Sequence, residues 1–148
     1  MAFLPDTALD YVEKAWRENR LAHAYLVSGV DAAGRLRFAE RLIRSVNRSD
    51  ADSLDAMAPE GVHLVQPESK SRAIVIDQIR ALEHVIHQRA VAGKQKVGVV
   101  VDADRMNQAA TNAFLKTLEE PPAGSLLLLL TASPSLLLDT VLSRCIRV

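Results

Sequence analysis

Residues 24–47 read AYLVSGVDAAGRLRFAERLIRSVN, and this stretch decides the fold. Residues 24–28 (AYLVS) are a short apolar run ending at Gly29, which predicts a buried strand. From 35 to 47, Leu36, Ala39, Leu42, Ile43 and Val46 recur at intervals of three and four, the spacing of one helix face. A strand, a glycine-bounded loop and a helix in that order make the first unit of an alternating α/β chain.

The alternation continues to the end of the chain. Residues 62–66 (VHLVQ) read as a second strand. A helix then runs from an N-cap at Asp77 to about Ala90, with Ile79, Leu82, Val85 and Ile86 on one face. Residues 96–101 (KVGVVV) are apolar without alternation, as a parallel strand covered on both faces requires. Asn107 is placed to cap the next helix, whose core face is Ala110, Ala113, Phe114, Thr117 and Leu118 and which Pro121 and Pro122 stop. Residues 125–131 (SLLLLLT) form another buried strand, 135–142 a short helix, and 145–148 the start of a fifth strand. The polar stretch 47–61, closing with Pro59 and Gly61, reads as a loop. The expected architecture is a three-layer α/β/α domain with a five-stranded parallel sheet, spanning 1–148. The chain ends at Val148 inside a strand, as expected of the first domain of a longer protein.

Composition narrows the function. The 148 residues suit one domain with one core, and 49% hydrophobic against 24% charged residues is the balance of a folded chain. Lys+Arg and Asp+Glu both total 18, so no net positive charge draws the chain to nucleic acid. With aromatics at 4%, single-strand stacking platforms are not expected. One Cys makes neither a disulfide nor a zinc site. The longest apolar run, Leu126 to Leu130, is strand-sized. The N-terminus MAFLPDTALDYV carries Asp6 and Asp10 and no basic segment, so it is not a signal peptide. A soluble, cytoplasmic protein with no membrane contact is expected.

The loop after the first strand has the glycine spacing of a phosphate loop, G-x-x-x-x-G-K-[ST], from Gly29 to Gly34. Its two reactive positions are changed. Arg35 stands where the lysine should reach the terminal phosphates, and Leu36 where a hydroxyl should hold Mg²⁺. Arginine keeps the charge as a planar fork, whereas leucine offers a metal nothing. At the end of the 96–101 strand, P-loop ATPases place a metal-binding Asp and then an acidic residue that orients water. Two registers fit Val101-Asp102-Ala103: Asp102 in the second place with Val101 at the metal, or Asp102 at the metal with Ala103 facing the water. Either loses one needed group. Asp102 and Asp104 as a new metal pair is a further option, against which stand helix capping and solvated loop charge.

Together with HAYLVSG (23–29), the strings DADRMNQAATNAFLKTLEEPP (102–122), TASP (131–134) and LSRC (142–145) resemble bacterial DNA polymerase III clamp-loader subunits. These are AAA+ proteins of RecA-like fold, and the resemblance is to the N-terminal domain of the delta-prime type, from about Leu21 onward. It implies a five-subunit ring that uses ATP bound between subunits to open a sliding clamp and seat it on primed DNA. It implies that Arg144, flanked by Ser143 and Cys145, is an arginine finger reaching the γ-phosphate held by a neighbour, a role that elsewhere is worth on the order of 10³–10⁵ in rate. Delta-prime subunits commonly have degraded nucleotide sites, which matches Arg35, Leu36 and Val101. The expected partners are motor and other loader subunits, with clamp and primer-template DNA reached through the complex. The family's four-Cys zinc module would fall at 47–61, where there is no Cys, so no zinc is expected, nor tight ATP or magnesium binding. The family's lid and collar domains have no counterpart in these 148 residues.

Other reactive residues have plainer readings. Cys145 has no evident base partner and suits a small buried position. His84 and His87 lie three apart on a helix without a third ligand, and His23 begins a strand. Thr131 falls at a position that senses γ-phosphate in AAA+ proteins, and reads here as a strand-end hydroxyl. Glu119 and Glu120 sit at a helix C-terminus, where negative charge is disfavoured; a subunit contact and a solvated helix end are both open. Three functions compete: a non-catalytic clamp-loader subunit, a working ATPase that tolerates Arg35, and a direct DNA-binding module. Loose anion binding at the helix N-terminus near Arg35 stays open.

Overall fold

A strand that is apolar without alternation needs cover on both faces, and the central strands of this sheet have it. The computed structural model describes residues 5–29 and 31–148. Helix α1 (Pro5–Arg17) leads into β1 (Ala24–Val27), α2 (Ala32–Asn47), β2 (Val62–Val65), α3 (Ile76–Ile86), β3 (Lys96–Val101), α4 (Gln108–Glu119), β4 (Ser125–Leu130), α5 (Asp139–Leu142) and β5 (Ile146–Arg147). The five strands form one sheet in the order β2-β3-β4-β1-β5, with every described pairing parallel. The pleat sorts the side chains into two cores. Leu126, Leu128 and Leu130 pack with Phe38, Leu42 and Ile43 of α2 and with Leu9 and Val12 of α1. Leu127 and Leu129 face the opposite layer, with Ile79 and Leu82 of α3 and Phe114 and Leu118 of α4. The three-layer α/β/α arrangement is therefore as expected. No helix among the described residues is long and apolar enough to cross a membrane.

Several boundaries differ from the sequence reading, each for a local reason. Helix α1 lies where no element was anticipated, and it buries Ala8, Leu9, Val12 and Ala15, largely against α2. Helix α2 starts at Ala32 rather than 35, because the Asp31 side chain caps it. Helix α3 starts at Ile76, so Asp77 is inside the first turn. Its end is tied instead by Gln78, whose Oε1 accepts from Val75 N at 2.9 Å while its Nε2 donates to Gln66 O at 2.7 Å. That helix stops at Ile86, four residues short of the expected Ala90. There buried Lys96 donates from Nζ to Val85 O and Gln88 O, a cation on the negative helix end. Asn107 caps α4 as expected, accepting from Ala110 N at 2.9 Å.

The 47–61 segment is not a plain loop. It contains a 3-10 helix, Asp55–Glu60, and is anchored through Arg44, which donates to Ala51 O at 2.9 Å and to Asp52 O at 2.8 Å. Glu60 accepts from Ser49 Oγ at 2.6 Å and from Lys94 Nζ at 3.0 Å. These two partners, Ser49 first, hold its carboxyl below the usual range against the opposing effect of burial. A depressed folded pKa gives stability that is present above the unfolded value of 4.5 and lost as pH falls through the folded one. Glu60→Gln should therefore lower stability at neutral pH by about 1 kcal/mol and flatten the acid limb of a thermal-melt series below pH 5.

Candidate functional site

The parallel sheet has two unlike edges, and the predicted site residues divide between them. At the C-terminal edge Gly29 follows β1 with φ 88°, in the left-handed region that favours glycine. Val30, within the expected phosphate loop, lies outside the described residues. Asp31 then accepts a hydrogen bond from Gly34 N at 2.7 Å on Oδ1. The early helix start places Gly34, Arg35 and Leu36 inside the first turns of α2 rather than at its entrance, which corrects the expected layout of the loop. A carboxylate thus occupies the positive helix end, where a phosphate oxygen would otherwise find the amide. Arg35 is buried, with 6% of its surface exposed. Leu36 is half-buried against the α1–α2 core, as is Val101 at the end of β3. Neither Leu36 nor Val101 has a side-chain oxygen to offer a metal ion.

Beyond Val101, Asp102 adopts a left-handed backbone with φ 54°. Asp104 accepts a 2.5 Å hydrogen bond from Thr131 Oγ1, and that oxygen in turn accepts from Ser133 N at 3.0 Å. Thr131 is fully buried, so its hydroxyl ties the end of β4 to the turn after β3. Among the described residues, His, Cys, Asp and Glu make no cluster of three able to hold a metal. His87 Nδ1 lies 2.7 Å from Glu83 O and His84 Nε2 3.1 Å from Gln88 Nε2, so both pair within or just beyond α3.

The N-terminal edge holds the other group. Pairing of Tyr25 with Ile146 and of Leu26 with Arg147, continued backwards, brings Arg144 beside His23. Both line a surface hollow of about 480 Å³ with Leu118, Glu119, Ser143 and Cys145. Arg144 Nη1 donates to Thr140 O at 2.9 Å, and its Nη2 donates to Glu119 Oε1 at 3.2 Å. Its side chain is 35% exposed. Gly29 lies six residues further along β1 than His23, which at about 3.3 Å per residue puts Arg144 roughly 20 Å from the chain's own glycine loop. That exceeds two screening lengths in physiological salt, and no side chain spans it.

Burial pushes the Cys145 thiol up from 9.0 to about 11. A thiol in that state is a poor nucleophile. Alkylation by iodoacetamide at pH 7.5 should run about 100-fold slower than at an unshifted thiol, the thiolate fraction falling tenfold per pKa unit. The rate should still be climbing at pH 10; a plateau by pH 9 would contradict this placement.

Sequence reasoning missed two features. Asp31, three residues before Gly34, has the spacing of an N-cap and was legible as one. The Glu119–Arg144 pair joins residues 25 apart and left no local signal.

Sheet order, flanking layers and the two edges define an AAA+ domain of the RecA-like kind. The chain belongs to the family described as DNA polymerase III, delta subunit, whose sequence profile matches residues 5–148. It is 34% identical over 138 residues to DNA polymerase III subunit delta' of Pseudomonas aeruginosa, covering 85% of this chain and 42% of that protein. To the Bacillus subtilis subunit delta' it is 32% identical over 139 residues, 86% of this chain and 42% of that one. The chain thus spans less than half the length of these relatives. The crystal structure of a gamma subunit-related protein of Thermotoga maritima superposes with a TM-score of 0.76 at 27% identity, covering 95% of this chain and 44% of that one.

Proposed function

We propose that the chain is a clamp-loader domain of the delta-prime kind that hydrolyses no ATP itself and lends Arg144 to an ATP site on an adjacent subunit. The observation that carries this reading is the placement of Arg144 on the sheet edge opposite the chain's own glycine loop. An arginine there has no role in cis chemistry, yet it is partly exposed and held in a defined position. The apolar side chain of Leu36, the needed group missing at Val101 or at Ala103 depending on the register, and the carboxylate of Asp31 on the helix end support the absence of tight magnesium–ATP binding. The partners on this reading are motor subunits of the ring, with the sliding clamp and primed DNA reached through them.

The test is ATP turnover by a loader reconstituted with the complete polypeptide that carries this sequence. Arg144→Ala should slow it in a ring that still assembles; unchanged turnover in an intact ring refutes the finger. Calorimetry with magnesium–ATP on this chain should show no micromolar binding, and such binding would favour a motor-type ATPase instead.

A further inference from the structure

Glu119 ends α4, where its carboxylate meets the negative end of the helix dipole, and it is half exposed, so burial does not explain it. Its Oε1 lies 3.2 Å from Arg144 Nη2. From the other side, Thr140 O accepts from Arg144 Nη1 at 2.9 Å, and the Ser143 hydroxyl lies 3.5 Å from the same nitrogen. The guanidinium is therefore gripped by two elements, the end of α4 and the α5 turn. A guanidinium has five N–H donors. These contacts use no more than three, which leaves Nε–H and one N–H of Nη2 for an outside ligand.

We propose that Glu119 is the positioning residue for Arg144, fixing the guanidinium plane by its hydrogen bond so that the remaining donors are presented to an oxyanion on the neighbouring subunit. This rests on the reading of Arg144 as a trans finger. An ion pair this exposed contributes little to fold stability, so its effect is on orientation. A long side chain that must order itself at each encounter loses rotamer freedom; a fork already held in plane loses less. The hydrogen bond, not the charge, does the holding, because a second negative group near a phosphate would by itself oppose binding.

The experiment compares Arg144→Ala, Glu119→Ala and Glu119→Gln in the complete polypeptide within a reconstituted loader. Turnover is followed against ATP concentration. Arg144→Ala fixes the share of turnover that depends on the finger. Glu119→Ala should remove about half of that share or more, through kcat with KM for ATP unchanged, as expected of lost preorganisation. Glu119→Gln, whose amide oxygen still accepts from Nη2, should restore most of it, and Glu119→Ala should add nothing in an Arg144→Ala background. If Arg144→Ala acts and Glu119→Ala does not, the positioning role is wrong and the finger stands. If Gln behaves like Ala, charge rather than the hydrogen bond matters and the proposal fails. If Arg144→Ala itself is silent in an intact ring, the underlying reading falls with it.

Discussion

On the proposed reading, Arg144→Ala in an assembled clamp loader should slow ATP turnover at the interface to which this subunit lends its arginine by a factor on the order of 10³. Whole-ring turnover should drop only to the level the other ATP sites sustain, so the measurement needs a ring in which those sites are known. The size follows from what an arginine does beside a transferring phosphoryl group. Charge spreads over the equatorial oxygens, and a fixed cation in a dry interface stabilises it without reorganising at the moment of reaction. Arg144→Lys should recover little. A lysine keeps the charge but has no planar fork to hold Thr140 O and Glu119 together while donating outward. The same substitutions should leave the melting temperature of this domain nearly unchanged, because the pair is 35% and 50% exposed and such pairs contribute about 0–1 kcal/mol. Size-exclusion chromatography of the reconstituted complex supplies the control: activity lost along with assembly would assign Arg144 to docking rather than to chemistry.

Legibility differed between the fold and the site, for physical reasons. The strands β3 and β4 are plain in the sequence because the middle of a strand buried on both faces takes apolar residues, as at Val99 to Val101 and Leu126 to Leu130. Their buried polar side chains, Lys96 and Ser125, stand at the strand starts, where hydrogen-bond partners reach them. The Asn107 cap was equally plain, since it acts on Ala110, three residues away. Elements were misjudged where the deciding contact used a residue of another expected role. Helix α3 is anchored by Gln78 reaching back to Val75 N, so the better capping residue, Asp77, misplaced its start. Helix α1 is harder to read, because Ala8, Leu9, Val12 and Ala15 keep helical spacing but two of the four are alanines, which mark an apolar face weakly. At the site, the residues on which the proposal of a non-hydrolysing domain rests, Arg35, Leu36 and Val101, are readable one by one in the sequence. The opposition of the two sheet edges is not. It depends on the parallel pairing of β1 with β5, which sends Gly29 and Arg144 to opposite ends of neighbouring strands.

The second large effect lies in the core, at Gly98 in the middle of β3. A Cβ built there would come within 2.5 Å of Leu82 Cδ1 and 3.0 Å of Leu127 Cδ2. Both leucines are fully buried, so neither can swing into solvent. The missing side chain is what lets α3 settle onto the sheet. Gly98→Ala carries two opposing terms. Removing a glycine from a strand stiffens the unfolded chain, which favours folding by about 0.4–1 kcal/mol. Overpacking a dense core costs about 1–3 kcal/mol. With a contact as short as 2.5 Å the second term wins, and the melting temperature should fall by about 2–4 °C for each kcal/mol. Gly98→Val, with two further methyl groups, should be worse again. The mechanism is tested by a cycle with Leu82→Ala, which alone should cost about 2–5 kcal/mol for the cavity it leaves. In the double variant the alanine methyl at 98 enters that space, so the pair should be less destabilised than the sum of the singles by about 1–2 kcal/mol. Strict additivity would show that the methyl group is accommodated elsewhere, and that the approach of α3 to β3 does not depend on Gly98. Because Arg144 is carried by the α5–β5 turn at the far side of the sheet, Gly98→Ala should lower stability while leaving ring turnover below the melting transition as it was.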